Sequence, residues 1–187
     1  MKTDVTQVLI KEHQLILRMI ALLEHNTDLL EQGAFRNWSF FLDAVNFIRN
    51  FADRFHHAKE EDVLFVELVS NGMPEKQSPI EAMHMEHEQG RAYVRALEDA
   101  TLKAAAGELG QVSLIVENAR AYAALLRAHI EKEDGILYPL AERVLPEDVR
   151  ATMLAAYKQA EERNPGVERK YFELVEQYER QAAATKA

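Results

Sequence analysis

Cysteine is absent from the 187-residue sequence, and this absence excludes disulfide bonds, thiolate metal sites and cysteine nucleophiles. Any metal ion must therefore be bound by histidine and carboxylate side chains. Glycine and proline are scarce, with seven and five residues, and runs of β-branched residues are few, so the composition favours helices over strands. We predict an all-α protein.

Long apolar runs and clusters of basic residues are also missing. No stretch of about 18 apolar residues is present to span a bilayer, and the opening MKTDVTQVLIKEH has acidic residues too early for a secretory signal. A formal charge of −9 without clustered Lys and Arg argues against a nucleic-acid partner. The sequence therefore predicts a cytoplasmic protein with no membrane or nucleic-acid partner.

Apolar residues recur at spacings of three and four in four long segments, as in amphipathic helices. The predicted helices are residues 4–31, 37–69, 78–106 and 110–143. Glycine and proline interrupt the pattern between them, at Gly33, in SNGMP and in residues 107–110. Four long helices with short connections predict an up-down-up-down four-helix bundle over residues 1–145.

A C-terminal helical extension is predicted over residues 146–187, with one helix at residues 147–162 and a polar one after Gly166. One side of the last helix is apolar. That side either packs on the bundle or forms a homodimer contact, and both alternatives stay open. Its residues are Tyr171, Leu174, Val175 and Tyr178.

Two stretches repeat one pattern of side chains, HHAKEEDVLF at residues 56–65 and HIEKEDGILY at residues 129–138. At equal offsets each has a histidine, a lysine, an acidic pair, a leucine and an aromatic residue. A histidine and a glutamate four positions apart lie one helical turn from each other and can bind the same ion. The pattern therefore offers one His–Glu pair in the second helix and one in the fourth.

The helical wheel, at about 100° per residue, indicates which members of the second-helix motif face the core. His56 and Glu60 share a face with apolar residues, whereas His57 and Glu61 lie on a more polar stripe. We predict that His56 and Glu60 face inward. The pair His57 and Glu61 remains the alternative.

The other three helices each place a histidine on the apolar face. His13 in the first helix is flanked by apolar residues, and His87 lies on the apolar face of the third, which His84 borders. In the fourth helix, His129 and Glu133 lie on the apolar face, while Asp134 lies on the charged face. Every helix of the predicted bundle thus contributes at least one inward imidazole.

Two carboxylates and four or more imidazoles in one core need a compensating cation, because buried charge is costly unless it is paired. A single one of these residues would be an ordinary core histidine or a solvated acid, and only their conjunction on four helices predicts a metal. Nitrogen and oxygen donors suit Fe, Mn, Zn, Ni or Cu(II), and two bridging carboxylates favour a di-iron centre. The predicted ligands are His13, His56, Glu60, His87, His129 and Glu133, with His57, Glu61, His84 and Asp134 less favoured.

These motifs resemble the hemerythrin-like proteins, in particular the HHE cation-binding group. The resemblance covers about residues 5–143 and rests on KEHQLI, HHAKEEDVLF, EHEQGR and HIEKEDGILYP. It implies a four-helix bundle that holds two non-haem iron ions and binds or senses O₂, NO or peroxide, or handles iron. A di-iron redox enzyme that reduces peroxide or O₂ or repairs iron–sulfur clusters, and a structural module that binds Zn or Ni, are the alternatives.

The third helix departs from the family pattern. Typical hemerythrins place two histidines four residues apart there, and Met83 occupies the first of these positions. The second ligand is either missing or replaced by His84. Fewer histidine ligands would leave an open coordination position, as expected for sensing, redox or repair relatives more than for an O₂ carrier.

Overall fold

The computed structural model describes residues 3–34 and 36–184, and these residues form helices and no strand. The all-α prediction and the four-helix bundle are confirmed. The first bundle helix is α1 (Gln7–Glu31), and the third is α4 (Pro79–Ala105). The second consists of α2 (Trp38–Phe47), π1 (Ile48–His57), π2 (Glu60–Leu64) and α3 (Phe65–Ser70). The fourth consists of α5 (Gln111–Lys132), π3 (Glu133–Leu137) and α6 (Tyr138–Val144).

The start of α4 shows how the sequence determines a helix boundary. Ser78 Oγ accepts a hydrogen bond from the backbone N–H of Glu81 at 3.4 Å, and Glu81 Oε2 accepts one from the N–H of Gln77 at 2.6 Å. Pro79 takes the first helical position, where its missing N–H costs nothing. The third bundle helix therefore begins where its capping residues predict.

Three π-helical segments interrupt the second and fourth bundle helices. A π-helix bonds residue i to residue i+5, so its turn holds more residues than an α-turn, and side chains shift around the axis. Glu60 is the first residue of π2 and Glu133 is the first residue of π3. The fourth bundle helix continues through Pro139 to Val144, close to its predicted end at residue 143. Both repeated His–Glu motifs thus lie beside distorted helix turns, which are frequent at functional sites.

The core consists of two apolar layers with a polar layer between them. Along α1, Leu9 belongs to one apolar cluster and Ile16 to the other, and the buried His13 lies between them. The fourth bundle helix repeats this order, with Leu126 in one cluster and Leu137 in the other. Each bundle helix therefore brings its predicted ligands to the same level, because they occupy the same place in its apolar pattern.

Two further helices follow the bundle, α7 (Glu147–Glu162) and α8 (Val167–Ala184). In α8, Tyr171 and Tyr178 are buried, and their hydroxyls donate to Asn46 Oδ1 at 2.7 Å and Asp43 Oδ2 at 2.5 Å. Helix α8 thus packs its apolar side on the bundle. Within residues 3–34 and 36–184, no helix is both long enough and apolar enough to cross a membrane.

Candidate metal centre

The first group of converging side chains joins three of the bundle helices. The ligand atoms of His13, His56, Glu60 and Glu133 all lie within 4.8 Å of one another, and all four residues are buried. His13 Nε2 is 3.0 Å from His56 Nε2 and 3.3 Å from Glu133 Oε2. The group offers two imidazoles and two carboxylates to one position.

A second group lies beside the first and shares Glu60 with it. The ligand atoms of His57, Glu60, His87 and His129 also lie within 4.8 Å of one another. His87 Nε2 is 3.0 Å from His129 Nε2, and the rings of His57 and His87 stack with centroids 3.8 Å apart. Glu133 reaches this group as well, because its Oε1 lies 3.2 Å from His129 Nε2. Two adjacent positions are therefore bordered by both carboxylates.

Four imidazoles are oriented by acidic side chains behind them. In each ring Nδ1 lies within hydrogen-bond distance of a carboxylate, which leaves Nε2 directed at the centre, the arrangement that orients histidine ligands in metal sites. The pairs are His13–Asp134 at 2.8 Å, His56–Glu12 at 2.9 Å, His87–Glu61 at 2.6 Å and His129–Glu86 at 2.9 Å.

The central carboxylates have oxygens without hydrogen-bond partners. Glu60 Oε2 and both Glu133 oxygens are buried and make no hydrogen bond in the described part of the chain. Leaving a buried acceptor unsatisfied costs about 1–3 kcal/mol, and more for a charged group. Three such oxygens facing one small volume, among imidazole nitrogens, fit a site for cations.

A family model for the hemerythrin HHE cation-binding domain matches residues 4–141. The chain belongs to this family. No curated protein and no solved structure matches the chain. The family membership and the two buried His–Glu groups together identify this HHE domain as a cation-binding protein.

The two central carboxylates of the HHE domain differ in proton affinity. Burial and the neighbouring Glu133 raise the pKa of Glu60 well above its usual value. Against the effect of burial, contacts with His129 and His13 hold the pKa of Glu133 well below its usual value. Tyr138 Oη donates a hydrogen bond of 2.5 Å to Glu60 Oε1. Without a cation, one carboxylate of the pair is therefore ionised and the other carries a proton.

The imidazoles also differ. Burial and the neighbouring rings lower the pKa of His56 well below its usual value and that of His57 to about 3, so both stay neutral and keep a lone pair for a metal. Although burial opposes it, contacts with Asp134 and Glu133 raise the pKa of His13 to about 9. A bound cation would replace the proton on His13.

The structure brings the six favoured candidates together and adds His57 to them. The helical wheel places His57 on a more polar stripe, as the alternative to His56, and the structure buries both residues, with His57 in the second group. The wheel assumes α-helical turns, whereas Ile48–His57 is π-helical, so His56 and His57 both face inward, toward different positions. An α-helical wheel therefore cannot decide which of two adjacent histidines in a π-helical segment faces the core.

The other less favoured candidates lie outside both groups. Glu61 and Asp134 contact the Nδ1 atoms of His87 and His13 from behind. His84 is exposed, and its ring packs edge-on against Phe65 with centroids 5.2 Å apart. Of the four, only His57 therefore reaches the centre.

Sequence reasoning missed three residues of this layer. Glu12 and Glu86 precede His13 and His87 directly, and each contacts both a histidine and a lysine of the opposite helix, so the repeated Glu–His dipeptide was the available signal. The third is Tyr138, the last residue of the second repeated stretch, and Phe65 occupies the same position in the first stretch. The motif predicts only an aromatic side chain at this position, so it does not predict the hydrogen bond from the Tyr138 hydroxyl to Glu60.

Proposed function

We propose that this HHE domain binds two iron ions in its polar layer. The observation that carries the proposal is the pair of adjacent His–Glu groups that share Glu60. His13 and His56 would hold one ion, and His57, His87 and His129 the other. Glu60 and Glu133, which border both positions, would bridge the ions. Bridging carboxylates with imidazoles and no sulfur are the donor set of di-iron bundle proteins.

The proposed role of the centre is to bind or sense O₂, NO or peroxide, or to handle iron. Bound iron would supply an open coordination position and reversible electron transfer. The unequal division of imidazoles, two against three, supports an exogenous ligand at the position with fewer donors. The chain supplies apolar layers above and below, which exclude water, and the Tyr138 hydroxyl, which holds a proton at Glu60 Oε1.

Metal analysis and an absorption spectrum of one aerobically purified sample test the identity of the metal. We expect two iron atoms per chain and near-ultraviolet absorption from a ferric pair. Zinc or nickel at the same stoichiometry, with no such absorption, would leave the site intact but replace the iron proposal with a structural metal. Less than one metal per chain after reconstitution would reject the dinuclear centre.

Substitution of the bridging carboxylates tests the ligand assignment. Glu60→Gln and Glu133→Gln should each reduce bound iron from two atoms to fewer than one, because each removes a donor to both positions. Asp62→Asn and Glu131→Gln change exposed acids on the same two bundle helices and serve as matched controls. Full iron content in either bridging variant would contradict its role.

Reduction of peroxide or O₂, or repair of iron–sulfur clusters, is the second candidate function. A cavity that leads from the surface to His57, His87 and His129 favours it, because a turnover enzyme needs an entrance for its substrate. Catalytic consumption of peroxide by the iron-loaded protein, in the presence of an electron donor, would distinguish turnover from stoichiometric binding.

The cytoplasmic location, the absence of nucleic-acid and membrane partners, and a homodimer are also proposed. Tyr171, Val175 and Tyr178 of α8 are buried against the bundle of the same chain, so a dimer would need another surface. Sedimentation equilibrium distinguishes a monomer of 21.4 kDa from a dimer.

A further inference from the structure

A cavity of about 210 Å³ opens between the second, third and fourth bundle helices. Exposed Arg54 and Arg95 lie among the residues that line it, and so do the buried His57, His87 and His129. The cavity therefore connects solvent with the second His–Glu group.

The wall of the cavity is largely apolar. It is formed by Ile48, Val94, Leu125 and Leu126, together with Gly90. A Cβ atom at position 90 would lie 3.5 Å from the Tyr122 ring and 3.7 Å from the Leu125 side chain, so a larger side chain there would press on the Leu125 wall. Apolar cavities of about 150 Å³ accommodate benzene. The present one therefore has room for an apolar body the size of a ring.

Positive charge collects around the cavity on a protein whose net charge is −9. Four arginines line it, Arg49, Arg54, Arg91 and Arg95. Two acids line it as well, Asp53 paired with Arg91 and Glu86 paired with Lys132. Arg91 pairs with Asp53, Glu61 and Glu88, and Arg49 pairs with Glu98.

The two exposed arginines, Arg54 and Arg95, differ from Arg49 and Arg91 in having no acidic partner in the described part of the chain. Arg54 donates to the neutral Asn50 at 3.2 Å, and among the described residues no acid pairs with Arg54 or Arg95. A cleft lined by uncompensated charge of one sign attracts small ligands of the opposite sign. Two guanidinium groups at the outer end are therefore available to an anion.

We propose that this cavity binds a small organic carboxylate, with its carboxylate at Arg54 and Arg95 and its apolar body against Val94, Leu125 and Leu126. A guanidinium and a carboxylate match as planar, two-bond partners. The apolar wall selects an organic anion over phosphate or nitrite, and the cationic mouth selects an anion over a neutral hydrocarbon. The apolar end of the ligand then lies next to His57 and His87. This inference goes beyond metal binding and does not depend on which metal is present.

The test uses 4-fluorobenzoate, whose ¹⁹F NMR signal reports binding to the protein as purified. We expect saturable binding that Arg54→Gln with Arg95→Gln weakens at least tenfold. The double variant Arg169→Gln with Arg180→Gln removes two exposed charges from α8 and should leave the affinity unchanged. Gly90→Leu, which fills the cavity, should abolish binding.

Three results would overturn the proposal: no saturable binding, equal affinity for the neutral 4-fluorobenzyl alcohol, or equal competition by inorganic phosphate. Unchanged affinity in both Arg54→Gln/Arg95→Gln and Gly90→Leu would overturn it too, by placing the ligand elsewhere. Metal content is measured on every variant, so loss of the metal centre is distinguished from loss of the carboxylate site.

Discussion

The first two bundle helices and the last two build the same set of contacts around the centre. In the first half, Glu12 contacts His56 and Lys59; in the second half, Glu86 contacts His129 and Lys132 with the same atoms. The Nε2–Nε2 distance between the paired histidines is 3.0 Å in both halves. The two halves are chemically equivalent in the polar layer, so the places where they differ show what makes the two metal positions unequal.

One difference is the residue after the motif histidine. His57 in the first half corresponds to Ile130 in the second. The ring of His57 crosses over to stack on His87, so the first half adds an imidazole to the position held by the second half. The two positions then have three and two imidazoles, and a single substitution accounts for the inequality.

Another difference is the environment of the motif lysine. Lys59 is fully buried, contacts Glu12 and Glu161 of α7, and lies 3.9 Å from the centre of the Phe55 ring. The side chain of Lys132 is 39% exposed. The C-terminal extension therefore covers one half of the polar layer and leaves the other half open to solvent.

The largest expected contrast is between the lysines. Lys59→Ala should lower the free energy of unfolding by about 3–5 kcal/mol, because it leaves Glu12 buried without its cation. Lys132→Ala should cost less than about 1 kcal/mol, because its ion pair with Glu86 is partly exposed to solvent. Urea denaturation of the two variants measures both values. Equal losses would mean that coverage by α7 has no energetic consequence.

The next contrast concerns the extra imidazole. His57→Ile makes the first half resemble the second, and the affinity for one of the two ions should fall on the order of 100-fold, since even loss of an outer contact to a ligand costs 10–100-fold. Ile130→Leu is the control in the second half. Titration with a competing chelator measures both affinities. Two ions still bound with wild-type affinity would remove His57 from the ligand set.

The third contrast uses two buried tyrosines. Tyr138→Phe should lower the free energy of unfolding of the metal-free protein by about 1–3 kcal/mol, because Glu60 Oε1 loses its donor. Tyr157 Oη is buried without a partner in the described chain, so Tyr157→Phe should be neutral or stabilising. Thermal unfolding of the two variants distinguishes them, and equal shifts would show that the hydroxyl contact with Glu60 contributes nothing.

The smallest effect is expected at His84. His84→Ala should change stability by less than about 0.5 kcal/mol, because the side chain is exposed. It should also leave two ions bound, whereas His87→Ala, three residues later, should lose metal. Elemental analysis of both variants decides this point, and metal loss in His84→Ala would return that residue to the ligand set.

Apolar periodicity predicted the four-helix fold, and the apolar faces indicated six side chains that converge in the structure. Apolar spacing identified the four bundle helices, and His13, His56, Glu60, His87, His129 and Glu133 were selected because they lie on the apolar faces. These are local properties: which face of a helix is buried follows from its own pattern. The orientation of His57 did not follow, because it depends on a π-helical turn.

The sequence by itself determined that four amphipathic helices each carry an imidazole, and that histidine and carboxylate must do any metal binding. Only the tertiary structure decided that Glu60 borders both groups, that Glu12 and Glu86 orient rings on neighbouring helices, and that Arg54 and Arg95 line one cavity. The physical reason is that these contacts join residues far apart in the chain. Their distances depend on how the helices pack and on where the backbone departs from α-helical turns.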